Sequence, residues 1–373
     1  MTEFNADFHL PEGHYLLSHS VGRMLRSAAQ DYHQHFVLPW QSESTEPWPQ
    51  WLKSIERFQG ALAQLLNSQP QWFCPQVNLS SGLSKWLMSL PESNLRKVRV
   101  LMSEDDFPSM GFVFQHALDN VEVVFIPAHL DMHDSNVWQE YINEQIDWVF
   151  ISHVYSNSGE QAPVKDIITL AKQSGCRTIV DIAQSLCVLP IDLTLWQADC
   201  VIGSSVKWSC GGPGAGFLWV HPDVLPYCEP QDVGWFSHQN PFEFDIHHFA
   251  FNDTALRFWG GTPSVAPFVY AGHSLDYFAR LGIDTVRAHN LKLLTRLQTE
   301  LAPFYRSPVA AEHCSGTAIL DFAEQQETVS QALQQAQVAT DQRRYGLRVS
   351  PHIYNTEADI NQLIAVVNSV LAT

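Results

Sequence analysis

The chain of 373 residues has few basic side chains: 21 Lys and Arg stand against 39 Asp and Glu, which gives a formal net charge of −18 at pH 7. Nucleic-acid backbones and anionic membrane surfaces both require clustered Lys and Arg, and the sequence has no basic run, so both kinds of partner are disfavoured. Charged residues make up 16% of the chain and aromatic residues 12%, which is not the composition of a disordered protein. These features indicate an acidic globular protein with room for about two or three domains.

Long apolar runs are also missing. No stretch approaches the roughly 18 uninterrupted apolar residues of a membrane-spanning helix, and the start MTEFNADFHLPEGHY has neither the basic nor the apolar part of a signal peptide. The cysteines are scattered, odd in number and never in a CxxC pair, which argues against a disulfide framework and a zinc ribbon. They are Cys74, Cys176, Cys187, Cys200, Cys210, Cys228 and Cys314. We expect a soluble, cytoplasmic protein of enzyme size.

Short runs rich in Val and Ile recur in the middle of the chain, and helical stretches separate most of them. The runs occupy residues 98–102, 121–126, 148–152, 178–182, 200–203 and 216–220. Apolar runs that alternate with helices predict an α/β fold with a mostly parallel sheet covered on both faces. Long helical patterns follow residue 263, then two short strand candidates at 317–322 and 344–350 and a final helix from Glu357, which predicts a smaller α+β domain.

The first 60 residues have a different pattern. Residues 23–35 are amphipathic, residues 38–50 carry three prolines and predict a loop, and helical spacing resumes at Trp51. We therefore predict an N-terminal arm with helices that contribute to the small domain (1–60), a large domain (61–262) and a small C-terminal domain (263–373).

Two polar residues follow neighbouring predicted strands. Asp181 lies at the end of one strand, where α/β folds place binding groups, and Lys207 follows the next, among apolar and small residues. Desolvation there would lower the pKa of the Lys207 amine and leave more of it neutral to form a Schiff base. An aspartate on the adjacent strand could pair with a protonated pyridine nitrogen. This arrangement is the one that a pyridoxal phosphate (PLP) site requires, although a pair 26 positions apart is also compatible with a simple ion pair.

The glycine cluster at 211–216 does not fit a nucleotide-binding loop. Lys207 precedes the glycines, whereas a P-loop lysine follows them, and a strand-like run comes next where a dinucleotide-binding fingerprint needs a helix. A nicotinamide-dependent dehydrogenase is therefore disfavoured. A glycine-rich hairpin beside the lysine is the better interpretation.

The ordered motifs resemble those of the fold-type I PLP enzymes of the class V aminotransferase superfamily, with a layout most similar to kynureninase. The motifs are DIAQS at 181–185, S-x-x-K-W at 204–208, GGPGAGF at 211–217 and GLRVSPHIYNT at 346–356. The kynureninase-like segments are YL at 15–16, SVG at 20–22, FPS at 107–109, GWFSH at 234–238 and RFWGGTPS at 257–264. The resemblance implies a fold-type I architecture, with a mostly parallel seven-stranded sheet in the large domain, and a homodimer with its active site at the subunit interface.

The resemblance also implies the role of each site residue. Lys207 would bind PLP and move the substrate α-proton, and Asp181 would bind the pyridine nitrogen. The other implied cofactor contacts are Ser80, Ser81, Phe107, Gln184, Ser205, Trp235 and Thr262. The implied substrate contacts are Ser20, His238 and Arg348, of which Arg348 would clamp the α-carboxylate of a small amino acid. The implied reaction is kynureninase-like hydrolytic Cβ–Cγ cleavage.

Two positions depart from the kynureninase pattern. Gln184 stands where kynureninases usually carry His, and Val206 stands where they usually carry Tyr. Other class V reactions therefore stay open, namely an aminotransferase, a cysteine-desulfurase-like lyase or an epimerase, as does a non-catalytic binding protein with the same fold. Cys314, in EHCSG, lacks the sequence context of a desulfurase nucleophile. The histidine pairs His33/His35 and His247/His248 lack a ligand motif, so the sequence predicts no metal site.

Overall fold

The computed structural model describes residues 4–91 and 97–372. Within these ranges the strands are β1 (His14–Tyr15), β2 (Phe73–Gln76), β3 (Val98–Ser103), β4 (Val121–Ile126), β5 (Trp148–Ser152), β6 (Arg177–Asp181), β7 (Cys200–Ser204), β8 (Gly216–Val220), β9 (Ala318–Leu320), β10 (Val338–Ala339), β11 (Asp341–Arg343) and β12 (Gly346–Val349). The helices are α1 (Ala28–Tyr32), α2 (Leu38–Ser42), α3 (Trp48–Leu65), α4 (Leu79–Met88), α5 (Pro108–Ala117), α6 (Ser135–Tyr141), α7 (Val164–Gln173), α8 (Leu193–Trp196), α9 (Ala266–Leu281), α10 (Ile283–Glu300), α11 (Gln326–Gln335) and α12 (Glu357–Leu371). No helix in these ranges combines the length and apolar character that a membrane crossing needs.

A seven-stranded sheet forms the centre of the molecule, in the order β2-β8-β7-β6-β5-β3-β4. The five strands β4, β3, β5, β6 and β7 are parallel, and β8 pairs antiparallel with both β7 and β2. Every residue of β5 and β8 is buried, as expected for strands covered on both faces. The predicted α/β fold with a mostly parallel sheet is confirmed. The six predicted strands are present with ends within one residue, whereas β2 was not predicted.

A second hydrophobic core lies at the C-terminal end of the chain. It is built by the antiparallel sheet β11-β12-β9 with side chains of α10, α11 and α12. The N-terminal arm contributes to this second core, because β1 pairs in parallel with β10 and Leu16 is fully buried in the core. In contrast, α9 packs on α3 in the larger core, where the Phe58 and Phe268 ring centroids lie 5.0 Å apart. The smaller C-terminal α+β unit is thus present, while the boundaries at residues 60 and 262 stay predictions.

The predicted loop at 38–50 is wrong in part. Residues Leu38–Ser42 form α2, which follows a π-helical turn at His33–Val37, and α3 already begins at Trp48. Pro39 and Pro49 lie in the first turn of their helices. The first N–H groups of a helix have no carbonyl partner within it, so proline costs little there and does not break these helices.

Candidate active site

A cavity of about 240 Å³ opens at the carboxyl ends of the parallel strands. Its lining includes Asn78, Ser80, Phe107, Ser152, Ser156, Asp181, Gln184, Ser204, Val206 and Lys207. Parallel strands end at one edge of the sheet, so the residues that follow β3, β5, β6 and β7 converge there. The fold therefore brings five of the predicted site residues to one cavity, namely Ser80, Phe107, Asp181, Gln184 and Lys207.

Lys207 follows β7 on a loop that the N-terminal arm packs against. Gly22 donates its N–H to the Val206 carbonyl at 2.9 Å, and a Cβ at Gly22 would lie 2.1 Å from the Lys207 carbonyl oxygen, so only glycine allows this approach. Burial lowers the pKa of the Lys207 amine to about 8; the charge of Asp181 opposes the shift and that of Arg348 adds to it. A larger neutral fraction of amine suits Lys207 as a nucleophile.

This lowered pKa predicts how cofactor attachment depends on pH. Because the neutral amine is the reactive form, the rate at which added PLP develops its visible absorption band should rise about tenfold per pH unit below pH 8 and level off above it. The rate is measured by mixing cofactor-free protein with PLP from pH 6 to 10. The same series with butylamine corrects for titration of the cofactor. A corrected rate that keeps rising to pH 10, as for an ordinary lysine, would contradict the prediction.

Asp181 is the last residue of β6 and is only 8% exposed. Burial raises the pKa of its carboxyl group, while the Ala183 N–H, which donates to Oδ1 at 2.7 Å, and the Lys207 charge both act to lower it. In the sheet register Asp181 is paired with Ser152 of β5. The carboxylate thus lies at the cavity wall, where it can pair with a cation.

The N-terminus of α4 forms another wall of the cavity. The Asn78 side chain caps this helix by accepting the Ser81 N–H at 2.8 Å, and Leu79 and Ser80 line the cavity. Free N–H groups at a helix N-terminus attract anions such as phosphate. Phe107, just before α5, is half exposed, and its ring centroid lies 5.9 Å from Lys207 Nζ. An aromatic face therefore lies beside the amine.

Two buried polar atoms near the lysine have no hydrogen-bond partner. They are Oε1 of Gln184, which is 9% exposed, and Oγ of Ser205, which is fully buried. Buried polar atoms are nearly always hydrogen-bonded, so the unpartnered Oε1 of Gln184, which lines the cavity, suits a polar ligand. Ser205 does not line the cavity, and its role as a cofactor contact stays a prediction. The helix N-terminus, Asp181, Gln184 and Lys207 together fit a group that has an aldehyde, a ring nitrogen and a phosphate, as PLP does.

Arg348 lies beside the cavity and is not on its wall. It is 5% exposed, and its guanidinium pairs with Asp341 and donates to the Ser156 carbonyl at 3.2 Å. His19 Nε2 lies 2.9 Å from the same Asp341 carboxylate. These two partners hold the pKa of Asp341 below its usual value despite burial, whereas burial lowers the pKa of His19. Because Asp341 accepts from Nε and Nη2, a substrate carboxylate can bind these same two groups only if the guanidinium turns away from Asp341.

His19, Asp341 and Asn78 are site residues that the sequence analysis missed. Asn78 had a local signal, because it precedes a helix as a side-chain cap. His19 and Asp341 are 322 positions apart, so no local pattern connects them.

The remaining predicted contacts lie outside the cavity. Ser81 and Thr262 line a neighbouring cleft of about 520 Å³ that shares Ser80, and Trp235 Nε1 donates to Thr262 Oγ1 at 3.3 Å. Trp235 and His238 line a third cleft, of about 430 Å³. Ser20 is exposed in the arm. Within one chain these residues do not meet Lys207, and their roles stay predictions.

Comparison with known proteins identifies the family of the chain. Residues 81–363 match the family model described as "Aminotransferase class-V". The chain is 24% identical over 342 residues to the uncharacterized aminotransferase YcbU of Bacillus subtilis (strain 168), with 90% of this chain and 88% of that protein covered. It is 28% identical over 316 residues to the kynureninase of Deinococcus radiodurans, with 80% of this chain and 75% of that protein covered.

The fold is also found in solved structures. The cysteine desulfurase CsdA from Escherichia coli superposes with a TM-score of 0.85 at 19% identity, over 99% of this chain and 98% of that one. The cystine C–S lyase C-DES, in complex with cysteine persulfide, superposes with a TM-score of 0.84 at 19% identity, over 95% of this chain and 97% of that one. The chain therefore belongs to the class V aminotransferase family and is a PLP-dependent enzyme of fold type I.

Proposed function

We propose that this enzyme cleaves the Cβ–Cγ bond of a small amino acid by hydrolysis, as kynureninases do. The observation that carries the proposal is the cavity itself: Lys207, with a pKa of about 8, faces the buried Asp181, and the ring of Phe107 lies beside the amine. The similarity to kynureninases over most of the chain supports the same reaction class.

Each residue has a distinct task in this reaction. When bound, PLP supplies an electron sink for negative charge at the substrate α-carbon. Lys207 Nζ moves the proton at that carbon, which its lowered pKa favours near neutral pH. The Asp181 carboxylate holds a proton on the ring nitrogen, and its burial strengthens this charge interaction. The Arg348 guanidinium, released from Asp341, binds the substrate α-carboxylate with its planar pair of N–H groups.

A lyase acting on a sulfur-containing amino acid is the second candidate. One support is the fold that the chain shares with the cystine C–S lyase C-DES. The other is Val206, which has no hydroxyl group to assist proton transfer. All seven cysteines of the chain are buried. Such a lyase would therefore not rely on an exposed cysteine nucleophile.

The proposed reaction is tested by turnover of the PLP-loaded enzyme. With L-kynurenine we expect equal amounts of anthranilate and alanine, measured by fluorescence and by amino-acid analysis. L-Cystine and L-alanine with a keto-acid acceptor are assayed in parallel. Turnover of cystine without anthranilate formation would replace the hydrolase by the lyase, and turnover of alanine alone would point to an aminotransferase.

We also propose a homodimer with the active site at the subunit interface. A patch of exposed apolar side chains follows Trp235, with Phe244 76% and Ile246 93% exposed. Such patches mark protein interfaces, and a partner's Trp235 and Thr262 could complete the phosphate site. The described cysteines form no disulfide bond, which is typical of a reducing compartment, and we place the enzyme in the cytoplasm.

A further inference from the structure

The loop at 238–248 contains a buried histidine with a free ring nitrogen. His238 is 7% exposed, and its Nε2 has no hydrogen-bond partner. The N–H and the carbonyl oxygen of Asn240 both lie 2.9 Å from its Nδ1. When Nδ1 is protonated and donates to this carbonyl, Nε2 presents an unshared electron pair. A backbone carbonyl that orients the ring in this way is the usual partner of a metal-binding histidine.

Two more ligand groups lie next to this ring. His248 Nδ1 is 2.8 Å from Glu243 Oε1, and the ring centroids of His238 and His248 are 6.0 Å apart. The ligand atoms of the three side chains all lie within 4.8 Å of one another. They line one cleft of about 430 Å³. Glu243 and His248 are solvent-accessible, with side chains 34% and 62% exposed, so an ion can enter and small rotations can close the ligands around it.

We propose that His238, Glu243 and His248 form a binding site for a divalent transition-metal ion, with Zn²⁺ as the ion that this ligand set favours. Two imidazoles and one carboxylate suit zinc, whose bonds to these ligands are about 2.0–2.2 Å long. Magnesium and calcium prefer sets made of oxygen atoms alone. Three protein ligands leave one tetrahedral position for water or another small ligand.

Binding of the ion requires neither the cofactor nor the reaction proposed above. The three ligands come from eleven consecutive residues, so the ion would tie the exposed half of the loop to the buried His238. The same loop carries the exposed Phe244 and Ile246. The bound ion would thus order a segment that carries two largely exposed apolar side chains.

The test is a calorimetric titration of the full-length, PLP-loaded enzyme with Zn²⁺. We expect saturation at one ion per chain. Glu243→Gln and His248→Gln should each weaken binding by at least about tenfold, since even loss of an outer-shell partner of a metal ligand costs that much. The matched control is His247→Gln, because His247 is exposed beside His248 and lies outside the cluster; it should bind zinc as the wild type does. Mg²⁺ should give no saturable heat.

Cobalt provides a spectroscopic readout of the same site. Co²⁺ in place of zinc should give visible bands of a four-coordinate ion, and His248→Gln should remove them. The proposal is overturned if no saturable Zn²⁺ binding occurs, or if His247→Gln weakens binding as much as His248→Gln does. It is also overturned if both ligand variants keep wild-type affinity, because the zinc would then sit on other histidines. Glu243 and His248 are exposed, so equal thermal unfolding midpoints are expected to show that the variants are folded.

Discussion

Replacing Lys207 by alanine is expected to abolish the visible absorption band of the PLP-bound enzyme and to lower kcat by at least about 10³-fold, within the range for loss of a group that transfers protons in the transition state. The variant lacks the amine that we propose as the covalent attachment point and as the base beside Asp181. Absorbance spectra with and without borohydride reduction check the first effect. Turnover of whichever substrate the kynurenine, cystine and alanine assays identify checks the second. The fold should persist, because the lowered pKa of Lys207 indicates that its charge does not favour the folded state.

A matched lysine variant separates this effect from a general loss of positive charge. Lys165 is exposed on α7, so Lys165→Ala should keep the band and the rate of the wild type. A Lys207→Ala enzyme that retains both the borohydride-sensitive band and wild-type kcat would refute the assignment of the cofactor-binding lysine.

Substitution of Asp181 by asparagine is expected to lower kcat by about 10²- to 10³-fold while PLP still binds, which is the usual cost of removing one preorganised electrostatic group. Asparagine has nearly the same shape, and its side-chain oxygen can still accept the Ala183 N–H. The substitution removes the negative charge that we propose to hold a proton on the ring nitrogen of bound PLP. The measurement is kcat at saturating PLP, together with a titration of cofactor affinity by absorbance.

The comparison of kcat with cofactor affinity distinguishes a chemical role from a structural one. Asp223→Asn serves as the control, because this side chain is 92% exposed and its loss should change neither quantity. If Asp181→Asn keeps wild-type kcat, or if excess PLP restores its activity completely, Asp181 does not act on the bound ring.

The strands that carry the site could be predicted from local sequence because they are buried on both faces. Such strands are continuous runs of β-branched and aromatic residues, and the predicted run 148–152 coincides with β5. β2 was not predicted because Phe73–Gln76 is short and contains Pro75, which weakens a strand pattern. Its backbone nevertheless pairs with β8 at the end of the sheet order, where proline is tolerated.

The side chains around the lysine were predictable only in part. Asp181 and Lys207 follow adjacent strands, so their meeting is a consequence of the parallel sheet. The ion pair of Arg348 with Asp341 joins neighbouring strands β11 and β12, and His19 reaches it from the arm. The cluster of His238, Glu243 and His248 lies in a loop without periodicity. Neither a helix nor a strand spacing describes its geometry, and this is why the sequence pattern predicted no metal site.

By itself the sequence indicated an acidic α/β protein whose ordered motifs resemble PLP enzymes of fold type I, and it predicted Lys207 as the residue that binds the cofactor. That much depends on strand periodicity and on ordered motifs, which are properties of neighbouring residues. Only the tertiary structure decided that Asp341 pairs with both Arg348 and His19, that Ser205 and Gln184 have buried polar atoms without a hydrogen-bond partner, and that the side chains of His238, Glu243 and His248 meet. The physical reason is that these contacts arise from pairing across a hairpin, from packing between distant segments and from loop conformation, and none of these leaves a periodic signal in the chain.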